Sequence, residues 1–389
     1  MGAPVGCHVA GGWVRDRLLG LDTVDVDLAI ETSVEAAGVH ARRLAAAHGG
    51  RAHLLGRVPR AVWRVDTPDA TVEVWPLGEL DLEGDARRRD FTCNAMLWTL
   101  PDGPLHDPTG GRDDLVHDRL RAVSRDNLAD DPVRLLRGIR FLAELPDLEL
   151  DARTSRWIRE LATRLADAPP ERLGREISRT LAGRGVQPAL AVGAELGVWR
   201  HVAPTTTADA DALAAHAGAA HRLSRPARHP LPAALCAAGD AARLALVAAS
   251  WRPTREADLA AYGWPRRVRE TAVTAARELD AALAAVAASP ADRRELMART
   301  GDATPCLLAV GAAVAPDRPW SRWWSQWRRG GARLADMRPI LTADEVARRL
   351  GVDPGPELGH ALEDLVRAQV RGDVRSAAGA RRWLDRRAR

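Results

Sequence analysis

Asp25 and Asp27 stand two residues apart in the segment VDVDLAI, 24–30. Apolar and acidic residues alternate there with the period of a β-strand, so both carboxylates point to one face while Val24, Val26 and Leu28 point to the other. Two anions this close are costly to hold unless a cation neutralises them. Mg²⁺ suits the task, since one or two protein carboxylates and the phosphates of a substrate commonly share it. Taken alone, Asp-x-Asp also fits a surface strand edge or a turn. Shortly upstream, Gly11 and Gly12 separate a short apolar strand, VGCHV at 5–9, from a helical segment, GGWVRDRLLG at 11–20. Glycines at such a junction let backbone N–H groups approach an anion, although a plain tight turn uses them too. The linked pattern GG-x-VRD-x-LLG-x(4)-DxDLA is far more specific than either half: it sets a phosphate cradle and a metal-binding pair at the ends of adjacent elements.

The elements that must position these groups are legible in outline. Residues 33–48 are Ala-rich and helical, AVWRVD at 61–66 and TVEVWPL at 70–76 read as strands joined by a turn at Pro68-Asp69, and LRAV at 120–123 as a further strand. From about residue 126 strand signals fade. PVRLLRGIRFLAEL, 132–145, carries Val133, Leu136, Ile139, Leu142 and Leu145 at helical spacing, with Pro132 suited to the first turn. Segments 152–166, 170–182 and 187–196 also read as helices, and 205–340 is Ala- and Arg-rich with Pro and Gly breaks. The stretch 252–340 carries no motif. The expected fold is α+β: a head with a small mixed sheet over 1–125, then all-α parts, a neck at 126–200, a body at 201–340 and a tail at 341–389.

Composition narrows the classes. The 389 residues are 46% hydrophobic and 28% charged, which excludes a wholly disordered chain. Cys7, Cys93, Cys236 and Cys306 show no CxxC spacing, against a zinc ribbon or a disulfide framework and in keeping with a reducing cytoplasm. No apolar run approaches the roughly 20 residues of a membrane span. Lysine is absent, so all 56 basic residues are arginine, a planar and permanently charged fork that matches phosphate. His201, His216, His221 and His229 precede Asp240, but no adjacent His-Asp pair occurs there, and a second metal site is not expected.

GGWVRDRLLGLDTVDVDLA resembles the signature of the class II tRNA nucleotidyltransferases and bacterial poly(A) polymerases, members of the DNA polymerase beta superfamily. Further blocks follow in that family's order: ARRRDFTCNAM at 86–96, HDPTGGRDDL at 106–115, DDPVRLLRGIRF at 130–141, ERLGREISRTL at 171–181, and a weaker echo at 341–374. The resemblance implies that Asp25 and Asp27 bind two Mg²⁺ ions, with Glu73 of TVEVW a candidate third carboxylate. It implies that Gly11, Gly12 and Arg15 hold a triphosphate, that Arg88 and Arg89 meet phosphate, that Asp90 accepts from a ribose 2′-hydroxyl, and that Asn94 braces the site. Asp131 and Arg134, expected at i and i+3 on one helix, would pair with a base as a template does: the carboxylate accepts from an exocyclic amine and the guanidinium donates to ring acceptors. Arg137 and Arg140 would extend that basic stripe. Uracil and guanine, with O4 or O6 where an amine is needed, would be rejected.

Asp130 replaces the family's usual Glu before Asp131. The larger departure is the link from TVEVWPL to ARRRD, only GELDLEGD, where complete CCA-adding members commonly carry a longer flexible loop connected with the change from CTP to ATP. The short link resembles the CC-adding branch. The expected activity is therefore addition of CMP to the 3′ end of tRNA, held by its acceptor arm, with CTP as donor and a separate A-adding enzyme completing the end. The alternatives are full CCA addition with CTP and ATP, or polyadenylation. A catalytically dead relative would lack the carboxylate pair, and an enzyme acting on a small molecule would not need Asp131, Arg134 and a long helical tail.

Overall fold

A computed structural model describes residues 6–23, 25–56, 61–202, 213, 216–231, 234, 238–251, 256–285 and 289–388. Val24, Cys236 and parts of 205–340 lie outside the described residues. The chain forms two compact units: Met1–Pro169 with Glu195–Val202, and Pro170–Ala194 with Ala203–Arg389.

The first unit is built on a mixed sheet, seven-stranded among the described residues, from β1 (Cys7–Ala10), β2 (Asp25–Ile30), β3 (Arg51–Leu55), β4 (Val62–Asp66), β5 (Thr71–Pro76), β6 (Leu97–Thr99) and β7 (Leu105–His106), in the order β3-β4-β5-β2-β1-β6-β7. β2 is central. It runs antiparallel to β1, with Ala10 opposite Asp27, and parallel to β5, with Asp27 opposite Glu73. One core gathers Cys7, Ile30, Val65 and Val74 with Ala37, Ala41 and Ala45 of helix α2 (Val34–Ala47). A second gathers Ala10, Ala29, Ala95 and Leu97 with Ala86 of helix α3 (Leu82–Arg87). The alanines let helices approach the sheet closely, and Gly38 goes further: a Cβ there would meet the Trp63 ring at 2.5 Å.

The strands expected at 5–9, 24–30, 61–66 and 70–76 are present within a residue or two. β3 is unforeseen, because it is an edge strand without alternation: Leu54 is 44% and Leu55 39% exposed. LRAV does not join the main sheet. Arg119–Leu120 (β8) instead pairs in parallel with Glu149–Leu150 (β9), and Ala122 bridges to Phe91. Helix α1 (Gly12–Leu18) follows β1, and α4 (Gly111–Val116) is capped by the Asp107 carboxylate, which accepts from the N–H groups of Gly111 and Arg112. Helices α5 (Arg125–Asp130), α6 (Val133–Glu144) and α7 (Ala152–Leu161) complete the unit, with Phe91 edge-on to Phe141 at 5.5 Å in their core.

The second unit is helical. Helices Asp240–Ser250, Arg266–Ala285 and Thr304–Val314 pack on small residues; Gly311 leaves room for Trp320, whose ring would lie 2.3 Å from a Cβ at that position. Near the C-terminus, helices Ala343–Leu350, Pro356–Arg371 and Ala377–Arg387 share a separate apolar cluster that includes Val346, Leu365 and Leu384.

Candidate active site

The site builds outward from β2. Asp25 is exposed and Asp27 half-buried. The Asp27 carboxyl is raised to about 6, chiefly by burial, with the Glu73 and Asp25 charges adding and Arg89 and Arg137 opposing. Such a group is anion-crowded and partly dry, a place where a cation is favourable. Among the described residues no set of three or more His, Cys, Asp or Glu is gathered as a cage. Asp25 and Asp27, two residues apart on one strand, are the carboxylates that could hold a hard divalent cation, with its remaining positions left to other ligands. Glu73 stands beside Asp27 on the neighbouring strand, with Arg64 Nη1 at 3.9 Å.

Gly11 precedes α1 with φ +68°, and a Cβ there would lie 2.9 Å from Asp27 Oδ2 and 3.1 Å from Arg89 Nη1. The backbone conformation of this bend favours glycine, and a side chain there would also have to displace the Asp27 carboxylate. A Cβ on Gly12 would make ordinary contact, 3.5 Å from Arg15 Nη2.

Arg15 takes a different place from the triphosphate clamp expected of it. It is buried, donates to Asp16 Oδ1 through Nε and Nη2 at 2.8 and 2.6 Å, and to Asn94 Oδ1 through Nη1 at 2.7 Å. Asn94 in turn reaches Asp90 through Nδ2 at 3.5 Å, and its carbonyl accepts from Arg89 Nη1 at 3.3 Å. It links three of the expected residues. Asp90 is 6% exposed and accepts from the Phe91 N–H at 2.8 Å and from Arg137 Nε at 2.6 Å. Burial raises its carboxyl, but Arg137, the Phe91 N–H and Arg134 outweigh that and bring it down to about 2, so the group is an anion that accepts only.

Arg88 and Arg89 are both gripped by a residue outside the set expected from sequence. Asp85 on α3 is 2% exposed, and it accepts Arg88 Nε at 2.9 Å on Oδ1 and Arg89 Nε at 2.9 Å on Oδ2, with each Nη2 at 2.7 Å from the same oxygen. Burial raises its carboxyl, but the two guanidinium groups outweigh that and hold it below its ordinary value. The spacing i, i+3, i+4 in DARRRD is the signal that could have found it.

Asp131 and Arg134 do come together, but not on one helix. Asp131 is the last residue of the turn that ends α5, extended at φ −134° and ψ 90°, and α6 begins at Val133. Pro132 explains this, since a residue before proline is driven out of the helical region. Arg134 Nε lies 3.8 Å from Asp131 Oδ2 across the joint, and its Nη1 donates to the carbonyls of Arg88 at 2.9 Å and Asn127 at 3.2 Å. Burial lowers the Arg134 pKa while Asp90 and Asp131 counter it. Asn127, also unforeseen, donates through Nδ2 to the carbonyls of Arg87 and Arg89, both at 2.7 Å, and so ties α5 to the Arg88–Asp90 segment. A lone Asn in a capped helix gives no sequence signal for that role. The basic stripe ends at Arg137. Arg140 is 2% exposed, paired with Glu144 and stacked on the Phe141 ring at 4.1 Å, so it serves packing of α6.

The geometry thus joins a carboxylate pair, a glycine bend, an anchored anion and a carboxylate–guanidinium pair in one unit. Comparison with known proteins agrees. The poly A polymerase head domain model matches residues 7–121, and the model described as the probable RNA and SrmB-binding site of polymerase A matches 147–209. The A-adding tRNA nucleotidyltransferase of Deinococcus radiodurans is 31% identical over 98% of this chain and 96% of its own. The CC-adding tRNA nucleotidyltransferase of Synechocystis sp. is 30% identical over 95% of this chain and 91% of its own. In fold, the Bacillus stearothermophilus CCA-adding enzyme, solved in complex with CTP, aligns with a TM-score of 0.70 at 24% identity, covering 98% of this chain and 93% of that one. The chain is a nucleotidyltransferase and belongs to the family of the tRNA nucleotidyltransferases and poly(A) polymerases.

Proposed function

We propose that this enzyme adds CMP to the 3′ end of tRNA without a nucleic-acid template and stops after two residues. The supporting observation is the link between β5 and Arg88. In complete CCA-adding members that place commonly holds a longer loop connected with the change to ATP. Here it is a turn followed by α3, whose N-terminus is capped by Asp81 Oδ1 on the Gly84 N–H at 2.7 Å. With α3 capped and packed on the sheet through Ala86, only the short turn 77–81 lies outside regular structure between β5 and Arg88.

Asp25 and Asp27 would hold two Mg²⁺ ions, which when bound lower the pKa of the RNA 3′-hydroxyl and offset the charge of the leaving pyrophosphate. Gly11 leaves space for the triphosphate beside Asp27 and Arg89. Asp90, kept ionised by Arg137, accepts from the ribose 2′-hydroxyl. The Asp131 carboxylate accepts from cytosine N4 and Arg134 donates to its ring acceptors, the pattern that uracil cannot meet. The attacking 3′-oxygen forms the new bond to the α-phosphorus, and the bond to pyrophosphate breaks.

A second reading is A-addition, favoured by the full-length similarity to the Deinococcus radiodurans enzyme. One assay separates them. tRNAs ending at the discriminator base or at CC are incubated with CTP, ATP or both. Growth by two nucleotides with CTP, and none on the CC end with ATP, is the expected result. Extension of the CC end by ATP alone supports A-addition, three residues from both nucleotides mean full CCA addition, and a long ATP ladder means polyadenylation. CC addition leaves the terminal adenosine to a separate activity.

A further inference from the structure

Two consecutive arginines, the second of them close to Asp27, are held by one buried acid. Each presents its Nε and Nη2 edge to a different oxygen of Asp85. A guanidinium held by that edge has its Nη1 end aimed the other way. For Arg89 that end lies 3.1 Å from the point a Gly11 Cβ would occupy, with Asp27 Oδ2 2.9 Å from the same point. Asp85 itself is too buried to touch substrate, with 3% of its side chain exposed, against 18% for Arg89 and 44% for Arg88.

We propose that Asp85 is a positioning residue that sets Arg88 and Arg89 for the triphosphate of the incoming nucleotide, making α3 a brace for phosphate binding as well as a short link. This rests on the reading that those arginines meet phosphate, and it is independent of how many residues the enzyme adds or of which base. A free arginine must order its rotamers when phosphate arrives, whereas a clamped one has done so beforehand. Loss of the clamp therefore weakens triphosphate binding more than it slows turnover.

The test uses the full enzyme with whichever nucleotide the wild type incorporates. D85N is expected to raise KM for that nucleotide about tenfold, with kcat within about threefold and KM for tRNA unchanged. In D85N/R89Q the KM should exceed that of R89Q alone by much less than about tenfold, since only Arg88 is left for the acid to set. Unchanged nucleotide KM in D85N, equal losses in kcat and both KM values, or multiplying effects in the double variant each overturn the proposal. Because a buried acid removed beside two cations strains folding, D85N/R88Q is compared with R88Q alone. A further rise in nucleotide KM supports the clamp, and no rise refutes it. If D85N folds neither alone nor combined with R88Q, Asp85 is a folding residue and the proposal fails. The wild-type count of added nucleotides, read in the same assay, tests CC addition separately.

Discussion

Arginine carries every permanent positive side-chain charge in this protein, and the region around the carboxylate pair uses it differently from the region around the Trp-rich helix. In the unit that carries the carboxylates, guanidinium groups are held from behind: Arg88 and Arg89 by Asp85, Arg137 by Asp90, Arg15 by Asp16 and Asn94, Arg134 by two carbonyls. In the helical unit some are held too, as Arg269 is by Glu256 and the Trp264 carbonyl, but many stand at the surface. Some pair with acids in solvent, as Arg266 does with Glu270 and Arg349 with Asp385. Others, Arg322, Arg328, Arg329, Arg333 and Arg338, are exposed around the Trp-rich helix Trp320–Arg328. Trp320 and Trp323 bury one face of that helix, and Arg322 and Arg329, seven residues apart, share the other. Held groups suit recognition of one small ligand in one pose. Loose groups suit a long polyanion read by its shape.

That contrast can be broken in several places. The largest effect is expected at the cluster the held arginines surround: D27A should lower nucleotide incorporation about a thousandfold, since several kcal/mol of charge stabilisation goes with the metal site, while tRNA binding survives in a filter-binding assay. Retained turnover would remove Asp27 from the centre. Next comes R134A, for which discrimination of CTP over UTP should fall by about 1–3 kcal/mol in competition assays, with tRNA affinity little changed. D90N should relax the preference for CTP over deoxy-CTP by about 1–2 kcal/mol; equal discrimination would reassign the 2′-hydroxyl contact. On the loose side, R322A/R329A should weaken tRNA binding and flatten its dependence on log salt by about 0.7–0.9 for each phosphate no longer neutralised, without moving KM for CTP. The smallest effect is expected from R266Q, which removes an exposed i,i+4 pair: the denaturant midpoint of unfolding should not move measurably.

Much of the candidate site is legible in the sequence because the proposed chemistry demands particular types at particular spacings: the Asp25/Asp27 alternation, the Gly11 bend and the Arg88–Asp90 run stand out without a structure. What escapes depends on partners distant in the chain. Arg15 cannot be seen to turn inward without Asn94, 79 residues on. Arg140 cannot be seen to be buried without Glu144 and the Phe141 ring on the inner side of α6. Asp85 is readable from spacing but resembles a solvated charge run, because burial is a tertiary property. Edge strand β3 lacks the alternation that reveals half-buried strands, and β6 and β7, at three and two residues, are too short for any pattern. In the helical unit, Ala-rich composition announces helices but blurs their borders.

The bend between α5 and α6 has one more implication. Asp131 is extended because an imino ring follows it, so backbone sterics at Pro132 help to set where the carboxylate that meets Arg134 stands. Replacing Pro132 by alanine would let the two short helices fuse into one rod and swing that carboxylate around its axis. If Asp131 reads the base as proposed, nucleotide preference is thus open to drift through a residue that bears no functional group at all.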